Sequence, residues 1–287
     1  MNPRASTIVT VLLAAWMTTA IAQVPSTDIF VVPVDGEEIG EPRRVTDREG
    51  YDNQPQFLPG GRSLVYASLR GEGTDIYRYD LDSGEEVVVA STPESEYSPT
   101  PIPDRDAISV IRDYGELKQQ LWSFPLDGDD PQLLLPDVNP VGYHAWIDRE
   151  SLILFVLGEP HTLQFARVGP GAGKVLADSP GRALGRMPGS GEMSFVDKTG
   201  DEWWLTTIDP ATGKRRRLIA TLAEREDYAW APDGSAWAGE RGRLYRWHPD
   251  DEGWQLVADL EPYGIGAITR LAFSPDGRSL AVVAGRE

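Results

Sequence analysis

The chain has 287 residues, with 45 acidic and 27 basic side chains, a formal net charge of −18 and no cysteine. A surface this negative repels phosphate backbones and anionic lipid, so it argues against nucleic acid or a membrane surface as partner. The lack of cysteine excludes disulfides and thiolate chemistry, and three histidines without a close pair disfavour a histidine-rich metal site.

The first predicted element is a secretory leader at residues 1–22. Arg4 precedes an apolar run from Ile8 to Met17, and Ala20-Ile21-Ala22 follows. A basic start, about ten apolar residues and a small-x-small end are typical of a cleavable signal peptide, and the run is too short to span roughly 30 Å of bilayer. We expect cleavage before Gln23 and a periplasmic mature chain that is not inserted in the membrane.

An internal repeat follows the leader. Its clearest copy is Phe273-Ser-Pro-Asp-Gly-Arg-Ser-Leu-Ala, in which Pro and Gly mark a tight turn between two apolar runs. Clear copies turn at Pro59 and Pro232 as well, and three further copies are degenerate. In chain order the six anchors are Pro59, Pro103, Asp148, Pro188, Pro232 and Pro275, spaced 44, 45, 40, 44 and 43 residues apart.

Each repeat continues with two more short strands. A segment such as Asp75-Ile-Tyr-Arg-Tyr-Asp-Leu follows the anchor, and a short apolar strand such as residues 86–90 closes the unit. Four strands in 40 to 45 residues is the pattern of a β-propeller blade. The sequence therefore predicts an all-β fold, a six-bladed β-propeller with four-stranded blades over residues 23–287.

The last blade is predicted to be closed by strands from both termini. After Pro275 the sequence supplies one more strand, at residues 279–284, whereas residues 28–36 and 41–46 match third and fourth strands. Such closure removes the edges that an open ring would leave exposed. The repeats occupy residues 23–287, so we expect no second domain.

The repeats Phe273-Ser-Pro-Asp-Gly-Arg-Ser-Leu-Ala and Asp75-Ile-Tyr-Arg-Tyr-Asp-Leu resemble the blades of the TolB-like (WD40-like repeat) propeller family. The resemblance covers nearly all of residues 23–287 and implies a protein of the bacterial envelope. In that family, TolB is a periplasmic part of the Tol–Pal system, and its propeller binds the peptidoglycan-associated lipoprotein. TolB also carries an α/β domain before its propeller, which we do not expect here.

Candidate binding residues lie in the loops that enter the innermost strand of each blade, because these loops form one mouth of the central channel. Four loops carry a tyrosine near the same register, and three of those tyrosines have an acidic neighbour. The candidates are Tyr51, Asp52, Asn53, Glu96, Tyr97, Tyr143, His144, Asp227, Tyr228 and Arg270. Aromatic and acidic groups suit a cationic or peptide ligand, although the tyrosines could instead pack between blades and Arg270 could be an internal counter-charge.

These observations predict an exported, non-enzymatic binding or scaffold protein, monomeric and without a cofactor, which presents the channel mouth to a protein or peptide partner. The chain lacks the Gly-x-Ser-x-Gly elbow of α/β-hydrolases and a P-loop. Two alternatives remain open. A Ca²⁺-assisted, lactonase-like hydrolase would need carboxylates such as Asp52, Glu96 and Asp227 to converge with Asn53 on a cation. A carbohydrate-binding propeller would need exposed, coplanar aromatic rings at the mouth.

Overall fold

Six antiparallel sheets make up the computed structural model, which describes residues 25–36, 38–223 and 225–286. Apolar and β-branched runs form the strands, and the repeat's turns separate them, as at Gly277, whose φ of 73° is a conformation that favours glycine. The predicted leader, residues 1–22, lies outside the described residues. No helix in the described ranges is long and apolar enough to cross a membrane.

The first strands along the chain belong to the blade that closes the ring. They are β1 (Thr27–Asp35), β2 (Glu38–Ile39) and β3 (Arg43–Arg44). Blade 1 follows with β4 (Asp52–Phe57), β5 (Ser63–Arg70), β6 (Gly73–Asp80) and β7 (Glu86–Ala90). Blade 2 consists of β8 (Ser95–Pro101), β9 (Ala107–Asp113), β10 (Gln119–Pro125) and β11 (Gln132–Leu133).

The next three blades repeat this order. Blade 3 consists of β12 (Val141–Trp146), β13 (Ser151–Val156), β14 (Thr162–Arg167) and β15 (Lys174–Asp178). Blade 4 consists of β16 (Pro180–Arg186), β17 (Met193–Asp197), β18 (Trp204–Ile208) and β19 (Arg215–Ala220). Blade 5 consists of β20 (Tyr228–Trp230), β21 (Ala236–Glu240), β22 (Arg243–Trp247) and β23 (Gln255–Asp259), followed by a 3₁₀ turn at Glu261–Tyr263.

Blade 6 combines the two ends of the chain. Its inner strands are β24 (Ile268–Phe273) and β25 (Ser279–Gly285), and β1 pairs with β25 over seven residues, from Thr27 opposite Gly285 to Pro33 opposite Ser279. β3 completes the blade on the far side of β1. The prediction of a six-bladed propeller closed by both ends is confirmed.

The hydrophobic core lies between the blades. One cluster packs Val65 of blade 1 against Ile108 of blade 2, and another packs Ile153 of blade 3 against Phe195 of blade 4. These four side chains are fully buried, and burial of such a side chain contributes roughly 1.5 to 3 kcal/mol. The packing fixes each innermost strand against its neighbours, and those strands carry the residues that face the channel.

Candidate functional site

All six blades contribute residues to the lining of a cavity at the centre of the ring, and one lining residue of each blade has the same position in its strand. In each blade it is the third residue before the last residue of the innermost strand. The six residues, which we call the channel ring, are Gln54, Ser98, Tyr143, Ala183, Asp227 and Arg270. The cavity has a volume of about 100 Å³.

β-bulges place the channel ring against the cavity. The pairing of β4 with β5 shifts register between Asn53 and Gln56, and that of β8 with β9 shifts between Tyr97 and Thr100. The ring residues of these blades have φ values of 57° and 53°, a left-handed conformation that is uncommon outside glycine. Such bulges re-aim side chains and are frequent near functional sites.

Asp227 is held between two arginines. Arg182, which precedes ring residue Ala183, donates through Nη2 to Oδ2 of Asp227 at 2.5 Å and through Nε to Oδ1 at 3.2 Å. Arg270 donates through Nη1 to Oδ1. Burial alone would lower the pKa of Arg182, but the hydrogen bond and the charge of Asp227 outweigh burial and hold this pKa above its ordinary value. Arg182 is therefore charged at physiological pH.

Arg270 also reaches across the channel. Its Nη2 donates to the Oη of Tyr143 at 3.2 Å, and its guanidinium carbon lies 5.3 Å from the centroid of the Tyr143 ring. Arg270 belongs to blade 6 and Tyr143 to blade 3, which stand on opposite sides of the ring. This contact spans the channel at the level of the ring residues.

His144 lines the cavity and also joins two blades. Its Nε2 lies 2.6 Å from Oγ of Ser109 on blade 2, and Nε1 of Trp146 donates to the same oxygen at 2.8 Å. The side chain is almost completely buried, and burial lowers the pKa of His144 to about 3. The imidazole is therefore neutral, and it carries no charge toward the cavity.

Tyr228 forms the same kind of joint between blades 4 and 5. Its Oη lies 2.8 Å from Oγ of Ser194, which also accepts a hydrogen bond from Nε1 of Trp230 at 2.8 Å. Burial raises the pKa of Tyr228. The ring lines the cavity while its hydroxyl is engaged in the blade joint.

Asp52 and Asn53 are buried inside blade 1. Oδ1 of Asp52 accepts hydrogen bonds from Nη2 of Arg48 and Oγ of Ser68, both at 2.6 Å. Asn53 accepts a hydrogen bond from the backbone N–H of Gln54 at 2.8 Å. These two candidates stabilise the strand behind the channel ring and do not line the cavity.

Glu96 is fully buried in blade 2, away from the cavity lining. Its Oε1 accepts a hydrogen bond from Oγ1 of Thr92 at 2.5 Å and lies 3.9 Å from Nε of Arg112. Burial raises the pKa of Glu96 to about 7, and the charge of Asp75 adds to this rise. A proton is thus bound to Glu96 in the folded protein well above the pH at which an exposed glutamate loses it.

The four candidate tyrosines do not lie at equivalent positions. Tyr51, Tyr97, Tyr143 and Tyr228 stand six, four, three and two residues before the last residue of their innermost strands. The shared register expected from the sequence is therefore wrong, because the tyrosines stand at different distances from the repeat anchors, and each innermost strand ends two residues before its anchor. Tyr97 packs between blades 1 and 2, where Oγ1 of Thr74 donates to its Oη at 3.3 Å.

Half of the candidates thus meet at the cavity. Those that line it are Tyr143, His144, Asp227, Tyr228 and Arg270, and those outside its lining are Tyr51, Asp52, Asn53, Glu96 and Tyr97. Sequence reasoning missed Gln54, Ser98 and Arg182 as lining residues. The sequence does contain a signal for the channel ring: each of its six residues stands five residues before a repeat anchor, as Gln54 does before Pro59.

The carboxylates do not converge as a cation site would require. Asp227 is paired with two arginines and Asp52 with Arg48, while Glu96 lies inside its blade. In the part of the chain that the structure describes, no three His, Asp or Glu side chains are placed to hold a metal ion.

The two cavity tyrosines each pack against an aromatic side chain of their own blade. Tyr143 meets Phe155 at 81° between ring planes, and Tyr228 meets Trp230 at 85°, both edge to face. These contacts fix the orientation of the two tyrosine rings at the cavity.

Comparison with known proteins gives a partial sequence match. No protein-family model matches the chain. It is 39% identical over 57 residues to the Tol-Pal system protein TolB of Bordetella pertussis, and this segment makes up 20% of the chain and 13% of that relative. The chain thus spans only a small part of the curated relative that it matches.

The structural matches cover almost the whole propeller. A structure described as TolB of Agrobacterium tumefaciens superposes with a TM-score of 0.70 at 16% identity, over 92% of this chain and 99% of that chain. TolB of Acinetobacter baumannii gives 0.60 at 17% identity, over 91% and 65%. Oligogalacturonate lyase in complex with manganese gives 0.57 at 16% identity, over 86% and 80%. The resemblance predicted from the repeats is confirmed at the level of the fold: the chain is a six-bladed propeller of the kind found in TolB proteins.

Proposed function

We propose that this protein is an exported, non-enzymatic binding protein that presents its channel mouth to a protein or peptide partner in the cell envelope. The observation that carries the proposal is the cavity of about 100 Å³ to which all six blades contribute. Pockets for whole small molecules are usually several times larger. A cavity of this size suits one side chain of a larger partner that rests on the surrounding loops.

The likeness to TolB supports the same class of function. One relative is described as a protein of the Tol-Pal system, and two TolB structures share the fold. The leader predicted at residues 1–22 supports export to the periplasm. A binding role also agrees with a site in which Arg182, Asp227 and Arg270 are held by mutual hydrogen bonds, because a preorganised site loses less entropy when a partner binds.

The proposal is tested by capturing partners of the tagged mature protein from an envelope extract. We expect one envelope protein to be enriched, and the peptidoglycan-associated lipoprotein would identify a Tol–Pal role. Tyr143→Ala should weaken binding of the captured protein at least tenfold in titration calorimetry, because truncating an aromatic anchor in a concave site often costs about 2 kcal/mol or more.

Two exposed turn residues provide matched controls on the opposite face. Asp129 and Asp250 lie in turns between third and fourth strands and are exposed, so replacing either with alanine should change the binding free energy by well under about 1 kcal/mol. If these variants lose the partner while Tyr143→Ala retains it, the channel mouth is not the binding face. Enrichment that does not differ between the wild type and Tyr143→Ala would also contradict the proposal.

A further inference from the structure

The cavity carries an excess of positive charge within a chain of net charge −18. Arg182 and Arg270 share the single carboxylate of Asp227. Glu226 lies 3.4 Å from Nε of Arg182, but it also accepts a hydrogen bond from Nζ of Lys198 at 3.2 Å. Of the charged side chains that line the cavity, Arg182 and Arg270 are cationic and Asp227 alone is anionic, so the lining carries one net positive charge. Glu226 is outside the lining and is shared with Lys198.

Two hydroxyl groups accompany this charge. Because Oη of Tyr143 accepts a hydrogen bond from Arg270, its own O–H proton can be donated into the cavity. Ser98 lies on the same ring, and its buried Oγ has no hydrogen-bond partner among the residues that the structure describes. Hydroxyl donors beside a guanidinium form a favourable environment for an ionised acceptor.

We infer that the channel ring binds a carboxylate carried by the partner, either an Asp or Glu side chain or a C-terminal carboxylate. The inference rests on the proposed function and specifies its chemistry. A partly buried cation without a matching anion is unfavourable, and a carboxylate would balance it while accepting the hydroxyl protons. The cationic ligand suggested by the sequence does not suit this site, because Asp227 is already paired with two arginines.

The overall charge explains why the carboxylate should belong to a larger partner. The field of a molecule with net charge −18 repels free anions. That repulsion acts at a distance and is weakened by salt, whereas the contacts inside the cavity act at short range and are screened less. A carboxylate attached to a partner is held at the mouth by the partner's other contacts, and these can offset the repulsion.

The test uses four short peptides as probes with the whole mature protein. Three are N-acetylated and C-amidated tripeptides with a central glutamate, glutamine or lysine, and the fourth is N-acetylated trialanine with a free C-terminal carboxylate. Binding is followed by protein-observed NMR at millimolar probe concentrations in about 0.15 M salt. We expect a carboxylate probe to bind at least tenfold more tightly than the glutamine probe, because hydrogen bonds to a charged group are stronger than those to a neutral amide.

The comparison between probes also identifies the source of the carboxylate. Tighter binding of the glutamate probe assigns an acidic side chain, and tighter binding of trialanine assigns a C-terminus. Equal affinity for the glutamate and glutamine probes, together with no binding of trialanine, would overturn the inference. Preference for the lysine probe would overturn it as well, because the cavity would then behave as an anionic site.

Two variants connect binding to the cavity. Tyr143→Phe removes one hydroxyl and Arg182→Gln removes one positive charge, and each should weaken the preferred carboxylate probe by about tenfold. The control is Arg216→Gln, because Arg216 is exposed and its Nη2 donates to Glu192 at 2.9 Å on the outer side of blade 4. Unchanged probe binding in Tyr143→Phe would contradict the assignment, as would a loss of binding in Arg216→Gln equal to that in the cavity variants. If Arg182→Gln does not fold, Tyr143→Phe alone provides the test.

The inference and the proposed function fail in different experiments. If an envelope protein is captured through the channel mouth but no carboxylate probe binds, the carboxylate assignment is wrong and the proposed function stands. If the carboxylate probes bind as expected but no partner is captured, the carboxylate site stands and the proposed function fails.

Discussion

His144 and Tyr228 occupy equivalent positions in blades 3 and 5, two residues before a tryptophan that ends the innermost strand. Each side chain meets a serine hydroxyl of the preceding blade, at 2.6 Å and 2.8 Å. A neutral imidazole and a phenol thus form the same joint. The two groups differ in their response to pH. An exposed imidazole gains a proton at mildly acidic pH, whereas a phenol does not.

Replacing His144 with tyrosine should therefore remove an acid sensitivity of the fold. The folded-state pKa is about 3 against an ordinary value of 6.5, so between these values only the unfolded chain gains the proton, and stability falls as the pH falls. At pH 5 this contribution amounts to roughly 2 kcal/mol. When the pH is lowered from 7 to 5, urea denaturation should show a change in stability that is more favourable in His144→Tyr than in the wild type by roughly 2 kcal/mol. Equal changes would contradict the buried neutral imidazole.

Glu96 should produce the opposite dependence on pH. Its folded-state pKa of about 7 lies above the ordinary 4.5, so the folded protein keeps a proton that the unfolded chain has lost, and stability declines as the pH rises from 4.5 to 7. Glu96→Gln should remove this decline and be more stable than the wild type at pH 8 by up to roughly 3 kcal/mol.

The control for Glu96 is the exposed Glu85, because Glu85→Gln should leave the pH profile unchanged. The two titrations overlap between pH 4.5 and 6.5 and partly cancel in the wild type. Each single variant should therefore show the slope of the group that remains, and the double variant should be flatter than either. A Glu96→Gln profile that matches the wild type would rule out a buried protonated glutamate.

Among the elements, β1 has the largest influence on closure of the ring. Asp28 at its start is 1% exposed and accepts hydrogen bonds from Arg44 on β3 and from Nε of Arg286, the latter at 2.6 Å. One carboxylate therefore connects the outer strand of blade 6, β1 and the residue after β25. Because β1 covers the edge of β25, loosening it would expose a strand edge.

Asp28→Ala should lower the free energy of unfolding by roughly 1 to 3 kcal/mol, because it leaves two arginines without their shared partner. The loss stays below that of a fully buried pair, since both arginines are partly exposed and can be hydrated. Asp47→Ala is the matched control: Asp47 contacts the same two arginines but is 75% exposed, so its loss should be under about 1 kcal/mol. Urea denaturation distinguishes the two, and an equal loss would show that burial of Asp28 adds nothing.

The strands and turns were predictable because they depend on local sequence, whereas the bulges were not. The Pro-Asp-Gly turns and alternating apolar residues specify hairpins within about 15 residues. The bulge at Gln54 or Ser98 is one extra residue in one strand, and its position depends on pairing with the neighbouring strand, which the turn residues and the apolar alternation do not specify. The four tyrosines stand at different distances from their repeat anchors, so they occupy different positions along the innermost strands.

At the scale of the whole molecule, the repeat period predicted the ring and its closure but not the charge pairs at its centre. The contact between Arg270 and Tyr143 joins residues 127 positions apart on opposite blades, and the pair of Arg182 and Asp227 joins residues 45 positions apart. Periodicity shows which residues are equivalent, but it does not show which of six converging side chains touch. Where the loop residues suggested an acidic rim, the cavity is lined by two arginines and one aspartate, within an acidic molecule.

The ladder between β1 and β25 also determines how the ring would respond to mechanical tension. Thr27 and Gly285 face each other at the same end of the seven paired residues. A force applied at these two residues would break the residue pairs of β1 and β25 one after another from that end. A force applied at Thr27 and Ser279 would instead load all seven pairs together in shear. The ladder that closes the ring thus offers little resistance to a force that separates Thr27 from Gly285, and more to one that separates Thr27 from Ser279.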